Sequence, residues 1–384
     1  MDEDNAKIIE QGLAHLRELL GEAWEVTPVR MATQTGSGTV ANPLHSGADM
    51  VVQIGNRSAS YRAEVLVDAA TKLTPAEARR VLAPQLAVME QLRGGSAALV
   101  IAPWLSPRTR LILDERGCGY LDFTGNVSLR LGQAGLFVRM DGAAHAPSSL
   151  PAQGRTLGGT RAGRLVRLLV DVNPPHRPTH LAGVSRLSLG YVSRLLDVMA
   201  EENLIDRHGR IVSEVDWAGL VRARADATSL LGPSRRGESR WVSMLAPKGP
   251  RSVLRHLATP RLQGFAVTGS VAAAEVAPVA VGGQLMIYFG SHTNHDEVGR
   301  QLGLVQSEHG ADVVLIEAPD PVVFAGTRQV DGVRHVALSQ LAIDCLSGPG
   351  RLPAEGEAVL NKMAEHESSW RLRNVNAFEL PDVA

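Results

Sequence analysis

One stretch restricts the fold more than any other: RPTHLAGVSRLSLGYVSRLLDVMAEENLIDRHGRIV, residues 177–212 of a 384-residue chain. Thr179 to about Ser185 reads as a short helix with Leu181 and Val184 on one face. Arg186-Leu187-Ser188 is a turn, and a serine in that place is a good N-cap for a second helix. Val192, Leu195, Leu196 and Met199 then recur at the three-to-four spacing of a buried stripe, which carries the second helix to about Glu202. Leu204-Ile205 and Ile211-Val212 flank Asp206-Arg207-His208-Gly209-Arg210, a charged tip with a glycine, as in a two-stranded hairpin. Upstream, Gly163–Val172 offers Leu165, Val166, Leu168 and Leu169 to cap the core of these helices. Downstream, Asp216–Ala227 continues as one more helix.

Helix, turn, helix and hairpin in this order read as a winged helix-turn-helix spanning residues 160–228. With the apolar stripe turned inward, Gly190, Tyr191 and Arg194 face outward near the start of the second helix. That end enters the major groove when such a helix reads DNA. Arg194 is then placed for guanine edges or phosphate, and Tyr191 for a phosphate or a thymine methyl. Thr179, Arg186 and Ser188 around the turn, with Arg207, His208 and Arg210 in the wing, complete the expected DNA-facing set. The charge distribution agrees. Between Arg155 and Arg224 stand eleven Arg and no Lys against seven Asp and Glu, an excess of four, whereas the segments on either side carry more acid than base. A polyanion is therefore expected to bind the middle of the chain. The plain alternative is a small helical domain that only joins or dimerises.

A chain of this length holds two or three domains. A hydrophobic content of 44% and a charged content of 21% are those of a soluble globular protein. Cys118 and Cys345 are too few and too far apart for a disulfide framework, which suits a cytoplasmic protein. The start, MDEDNAKIIEQG, is acidic and lacks the apolar core of a signal peptide. Gly264–Phe289 is the longest weakly charged stretch, and Glu275, Pro278 and Gly282-Gly283 interrupt it, so no membrane partner is expected.

Residues 5–22 form an amphipathic pattern with Ile8, Ile9, Leu13, Leu16, Leu19 and Leu20 on one face. A Gly/Ser/Thr/Asn loop, Gly36–Ser46, follows. Strands are expected at Asp49–Ile54, Tyr61–Val67, Ala97–Ile101 and Gly119–Leu131, the last holding a Thr124-Gly125-Asn126 turn. Helices at about Pro75–Leu92 and Pro107–Arg116 alternate with them, so residues 1–145 read as an α/β domain with a mixed sheet. A strand bearing Asp49, a turn, and a strand bearing Glu64 resemble the core of the PD-(D/E)XK nuclease fold. That resemblance implies a divalent metal held by the Asp and the Glu, and a Lys two residues after the Glu to orient water. The Lys position here is Leu66. Asp49 and Glu64 are therefore degenerate candidates in a domain expected to be inactive, with no catalytic residue, metal or cofactor assigned.

Gly119-Tyr120-Leu121-Asp122-Phe123-Thr124-Gly125-Asn126 resembles a stretch of the abortive-infection type IV antitoxins (AbiEi-like regulators). Read physically, Asp122 and Asn126 hydrogen-bond the turn between two strands. Ala143–Gly159 and Gly232–Glu238 read as linkers. In residues 238–373, FAVTGSVAAAEVAPVAVGGQLMIYF gives a strand end, a Gly269-Ser270 turn, a helix and a second strand. This is similar to the nucleotidyltransferase fold, where the second strand carries an Asp-x-Asp metal pair. Gln284-Leu285-Met286-Ile287 stand there instead, so this domain too is expected to be inactive. ADVVLIEAP at 311–319, Asp331-Gly332 and LSQLAIDCLSGPGRLPAEGEAVL at 338–360 extend the resemblance to the C-terminal half of the antitoxin-like regulators. His292 and His295 in SHTNHDE read as a surface turn. His176 and His180 have Pro178 between them, which breaks their helical spacing.

The sequence thus predicts a cytoplasmic, non-enzymatic, sequence-specific regulator of double-stranded DNA, acting as a homodimer, with a winged helix between two α/β domains. The alternatives are a metal-dependent DNA nuclease and an antitoxin-type protein that neutralises a toxin partner.

Overall fold

Acidic residues at the start of the first helix set its polarity. Glu3 and Asp4 lie in the first turn of α1 (Glu3–Leu20), and Arg17 lies in the last. Ile8, Ile9, Leu13 and Leu16 are buried on its inner face, as their spacing predicts. The computed structural model describes residues 3–29, 49–57, 62–79, 97–143, 157–232, 240–259, 264–279, 282–290, 294–307 and 309–382. The Gly36–Ser46 loop, the helix beyond residue 79, most of the first linker, the second linker from residue 233 and His292 lie outside these residues. The chain is a mixed α/β structure with three sheets among the described residues. It divides into two compact units, one of residues 1–154 with 201–203 and the other of residues 155–200 and 204–384.

In the first unit, seven strands lie in chain order: β1 (Trp24–Val29), β2 (Met50–Asn56), β3 (Arg62–Ala69), β4 (Ala97–Ala102), β5 (Gly119–Asp122), β6 (Val127–Leu131) and β7 (Leu136–Met140). The β3–β4 and β4–β5 pairs are parallel, and the others are antiparallel. α1 covers one face, packing on Val52, Ile54, Val65 and Ile101. A Cβ on Gly12 would lie 2.5 Å from Ile101 Cγ2, so glycine is what lets the helix come this close to β4. α2 (Pro107–Glu115), capped by the Ser106 hydroxyl, contributes Ile112 and Leu113 to a second apolar cluster with Val100 and Tyr120. The two outer strands, β1 and β7, are those the sequence pattern missed. Both are edge strands with half-exposed faces, and β1 contains Pro28, so neither carries a clean alternation.

The second unit begins with α3 (Thr160–Asp171), α4 (Pro178–Ser185) and α5 (Leu189–Glu201). An antiparallel hairpin of β8 (Ile205–His208) and β9 (Ile211–Val215) follows, then α6 (Trp217–Asp226). His176 adds a backbone bridge to Val212, and burial pushes its imidazole down to about 4. A seven-stranded sheet comes next, in the spatial order β13 (Val305–Gln306), β10 (Trp241–Leu245), β14 (Val313–Glu317), β12 (Leu285–Phe289), β11 (Phe265–Thr268), β16 (Val333–His335) and β15 (Arg328–Val330). It is mixed, with β12–β14 and β11–β16 parallel. α7 (Pro250–Leu257), α8 (Gly269–Ala274) and α9 (His295–Leu302) connect these strands, and α10 (Leu338–Leu346) packs on α11 (Leu352–Glu365) and against α6.

The sequence predicts a boundary between residues 228 and 238. Instead, the three N-terminal helices and the sheet share one apolar core running from Leu157 to Leu380. The reason is polar as well as apolar. Arg167 on α3 is 1% exposed and reaches the carbonyls of Val322 (3.1 Å) and Ala325 (2.9 Å) and the amide oxygen of Gln340 (2.9 Å), while pairing with Asp171 at 2.8 Å. From the other side Arg371 donates to the carbonyls of Val170 and Val172, both at 2.9 Å, closing the C-terminal end of α3. Both guanidiniums stitch α3 to chain beyond residue 320, and a buried charge held this way is costly to release.

Candidate nucleic-acid interface

α4 begins at Pro178, where a missing N–H costs nothing. It ends at Arg186, whose backbone is left-handed (φ 56°, ψ 40°) and turns the chain toward α5. Ser188 caps α5: its hydroxyl accepts from the Tyr191 N–H at 3.3 Å, and its carbonyl accepts from those of Tyr191 and Val192, both at 3.0 Å. Val192, Leu195, Leu196 and Met199 are buried, which fixes the outward face. Gly209 (φ 61°) and Arg210 form the hairpin tip.

The predicted residues fall into two groups. Thr179, Ser188, Gly190, Arg194, His208 and Arg210 are exposed, and Arg194 and Arg210 have no ion-pair or hydrogen-bond partner among the described residues. Three others are engaged within the chain. Tyr191 is half-buried against the apolar core and lines a recess with Gly159, Thr160, Arg164 and Asp320, so it does not stand free on the outer face. Arg207 pairs with Asp197 of α5 at 2.6 Å and braces the hairpin against the helix. Arg186 donates to the Leu380 carbonyl at 3.1 Å and pairs with Asp382 at 2.7 Å, so the C-terminal tail holds the turn arginine.

Three exposed residues were missed. Leu189 is 47% exposed beside Gly190. It sits at the first helical position, where the core has ended. Arg161 and Arg177 are exposed and unpartnered. They stand at the starts of α3 and α4, Arg177 close to Thr179 of the expected set.

Candidate catalytic positions elsewhere are occupied by structural hydrogen bonds. Glu64 lies opposite Gln53, four residues along β2 from Asp49, which is roughly 13 Å at the rise of a strand. Asp49 accepts from the Ala69 N–H at 3.1 Å and the Asn5 amide at 3.3 Å. The two carboxylates therefore do not meet. Asp122 is fully buried and accepts from the N–H groups of Leu105, Thr124 and Asn126, the Thr124 hydroxyl and the Asn126 amide. This is the turn the residue types predict. In the C-terminal sheet both Asp344 oxygens are taken, by Thr268 (2.7 Å), Tyr288 (3.0 Å) and Gln340 (2.8 Å), and burial pushes its carboxyl up to about 6. His295 packs edge-on against Phe289 with ring centres 5.2 Å apart. Among the described residues no group of three or more His, Cys, Asp or Glu side chains is arranged to hold a metal, and no helix is long and apolar enough to cross a membrane. Cys118 and Cys345 are both free and buried, and burial pushes the Cys118 thiol up to about 12.

No protein-family model, curated protein or solved structure matches the chain.

Proposed function

We propose that residues 160–228 form a winged helix-turn-helix that binds double-stranded DNA, and that the chain is a sequence-specific transcriptional regulator acting as a homodimer. One observation carries this reading. The start of α5 presents Ser188, Leu189, Gly190 and Arg194 to solvent, and the β8–β9 tip presents His208 and Arg210. The arginines of this surface that remain unpaired are the ones a polyanion would recruit. Leu189 adds an apolar contact of the kind that reads a thymine methyl. A single module of this size binds weakly, and two on a palindrome recover affinity and specificity, which is the reason for expecting a dimer. The flanking α/β parts act in this reading as binding and dimerisation platforms rather than as catalysts.

Fluorescence-anisotropy titration against duplex DNA, repeated over salt, tests it. Four unpartnered arginines, Arg161, Arg177, Arg194 and Arg210, give a log–log salt slope of about −3.6 per module if each meets a phosphate. Arg194→Ala should cost about 1–3 kcal/mol at the preferred site, whereas Arg210→Ala should weaken all sequences evenly and flatten the slope by about one. Absence of duplex binding at low salt would sink the proposal.

A further inference from the structure

A cavity of about 280 Å³ lies within the second unit, walled by α3 and α6 on one side and by β12, β14 and α10 on the other. Its size is at the lower end of sites that take small molecules. Most of its charged lining is already committed. Arg167 is fixed by Asp171 and Gln340, Asp344 by three donors, and Asp320 by Arg164 at 2.8 Å, and Arg240, which also lines the cavity, has contacts of its own. Arg224, in the last turn of α6, is different. Its Nη1 donates to the carbonyls of Leu157 and Gly159, but among the described residues no carboxylate pairs with it. Its Nε and Nη2 make no hydrogen bond among the described residues, and the residue lines the open space. That edge of a guanidinium is the fork that takes a carboxylate or phosphate in two parallel bonds. Burial pulls Arg224 down to about 10 against the opposing pull of the Asp320 carboxylate, which leaves it charged at neutral pH. Glu317 of β14 also lines the cavity, and its carboxylate likewise has no side-chain partner among the described residues.

We propose that this cavity is a ligand site for a small organic anion that also carries a hydrogen-bond donor, a hydroxy acid or an amino acid by class, with the Arg224 fork taking the anion and Glu317 the donor. The site has a short route to the outward helix face. Arg224 holds the Gly159 carbonyl, and a Cβ on Gly159 would lie 3.9 Å from the Tyr191 hydroxyl. Tyr191 lines the neighbouring recess, which shares Thr160 and Asp320 with the cavity. Occupancy therefore bears on the first turn of α5, and its consequence for DNA rests on the reading above.

Thermal-shift and calorimetric titrations of the full chain without DNA, using L-lactate, L-serine and inorganic phosphate as probes, test the site whether or not the helices bind a duplex. Lactate or serine should raise Tm saturably. Arg224→Gln should weaken that binding by about tenfold or more, the loss of one charge-assisted hydrogen bond. Gly163→Ala keeps the fold safe, because alanine favours α3, while its Cβ falls 2.9 Å from Arg224 Nη2 and displaces the fork without removing its charge. It should weaken the same probes, and Arg210→Ala should not. Stabilisation by phosphate alone, no saturable response to any probe, or equal binding by wild type, Arg224→Gln and Gly163→Ala would overturn the assignment.

Discussion

Arg167→Ala puts the joint core of the second unit to the test. The side chain is 1% exposed and makes two contacts to Asp171, at 2.8 and 3.2 Å, one to Gln340 at 2.9 Å, and two to carbonyls of the 322–325 segment. Truncation leaves Asp171, itself only 7% exposed, as a buried carboxylate without its cation. Breaking one partner of such a pair costs about 3–5 kcal/mol. In a unit of this size that corresponds to a fall in Tm of roughly 6–20 °C, at about 2–4 °C per kcal/mol. Urea unfolding followed by tryptophan emission, in a background with Trp24 and Trp104 of the first unit replaced by Phe, is suited to the measurement, because Trp217 and Trp370, with rings 5.1 Å apart, report on the helices, and Trp241 reports on the sheet. Wild type should lose all three signals in one step. Replacing both partners with apolar residues, Arg167→Met with Asp171→Leu, should cost less than Arg167→Ala, since no orphaned charge remains. A loss below about 1 kcal/mol, the range of an exposed pair, would refute the reasoning. So would separate wild-type transitions for the helices and the sheet.

The Arg186–Asp382 pair is exposed on both sides, so Asp382→Asn should leave Tm unchanged while removing the carboxylate from the turn arginine, which keeps only its bond to the Leu380 carbonyl. Anisotropy titration should then show DNA binding tighter by roughly two- to fivefold, one added phosphate contact; unchanged affinity would remove Arg186 from the interface. Asp344 is pushed up by burial to about 6 from an ordinary value of 3.8, so the folded chain keeps a proton that the unfolded chain has released. Its contribution to stability is complete below about pH 4 and is lost as pH rises to about 6, on the order of 3 kcal/mol. Asp344→Asn cannot titrate, and a difference in urea midpoint between it and wild type that stays flat from pH 4 to 7 would contradict this. Supercoiled plasmid incubated with the protein and Mg²⁺ or Mn²⁺ should stay intact, as expected of carboxylates held as far apart as Asp49 and Glu64. Nicking that Glu64→Ala abolishes would reverse that expectation.

What the sequence made legible were elements whose own side chains pay their burial locally. The stripe Val192, Leu195, Leu196 and Met199 marks α5, the Ser188 cap marks its start, and Gly209 marks the hairpin tip. Each is a signal within one or two turns of chain, and each is found where it was expected. The Asp122–Asn126 turn was readable for the same reason. What stayed hidden depends on partners far away in sequence. Arg167 reads as a solvated charge between leucines until Val322, Ala325 and Gln340 are beside it, more than 150 residues on. The same blindness applies to the outer surface. Arg186, Tyr191 and Arg207 have the right residue types in the turn, helix and hairpin, yet Asp382, the wall around Gly159 and Asp197 had claimed them. Helical angle shows which way a side chain leaves the backbone, while availability for a ligand depends on which groups from elsewhere arrive first. By that criterion Arg194 and Arg210 are the residues on which an encounter with DNA should depend, and Arg224 is a cavity cation that no carboxylate pairs with among the described residues.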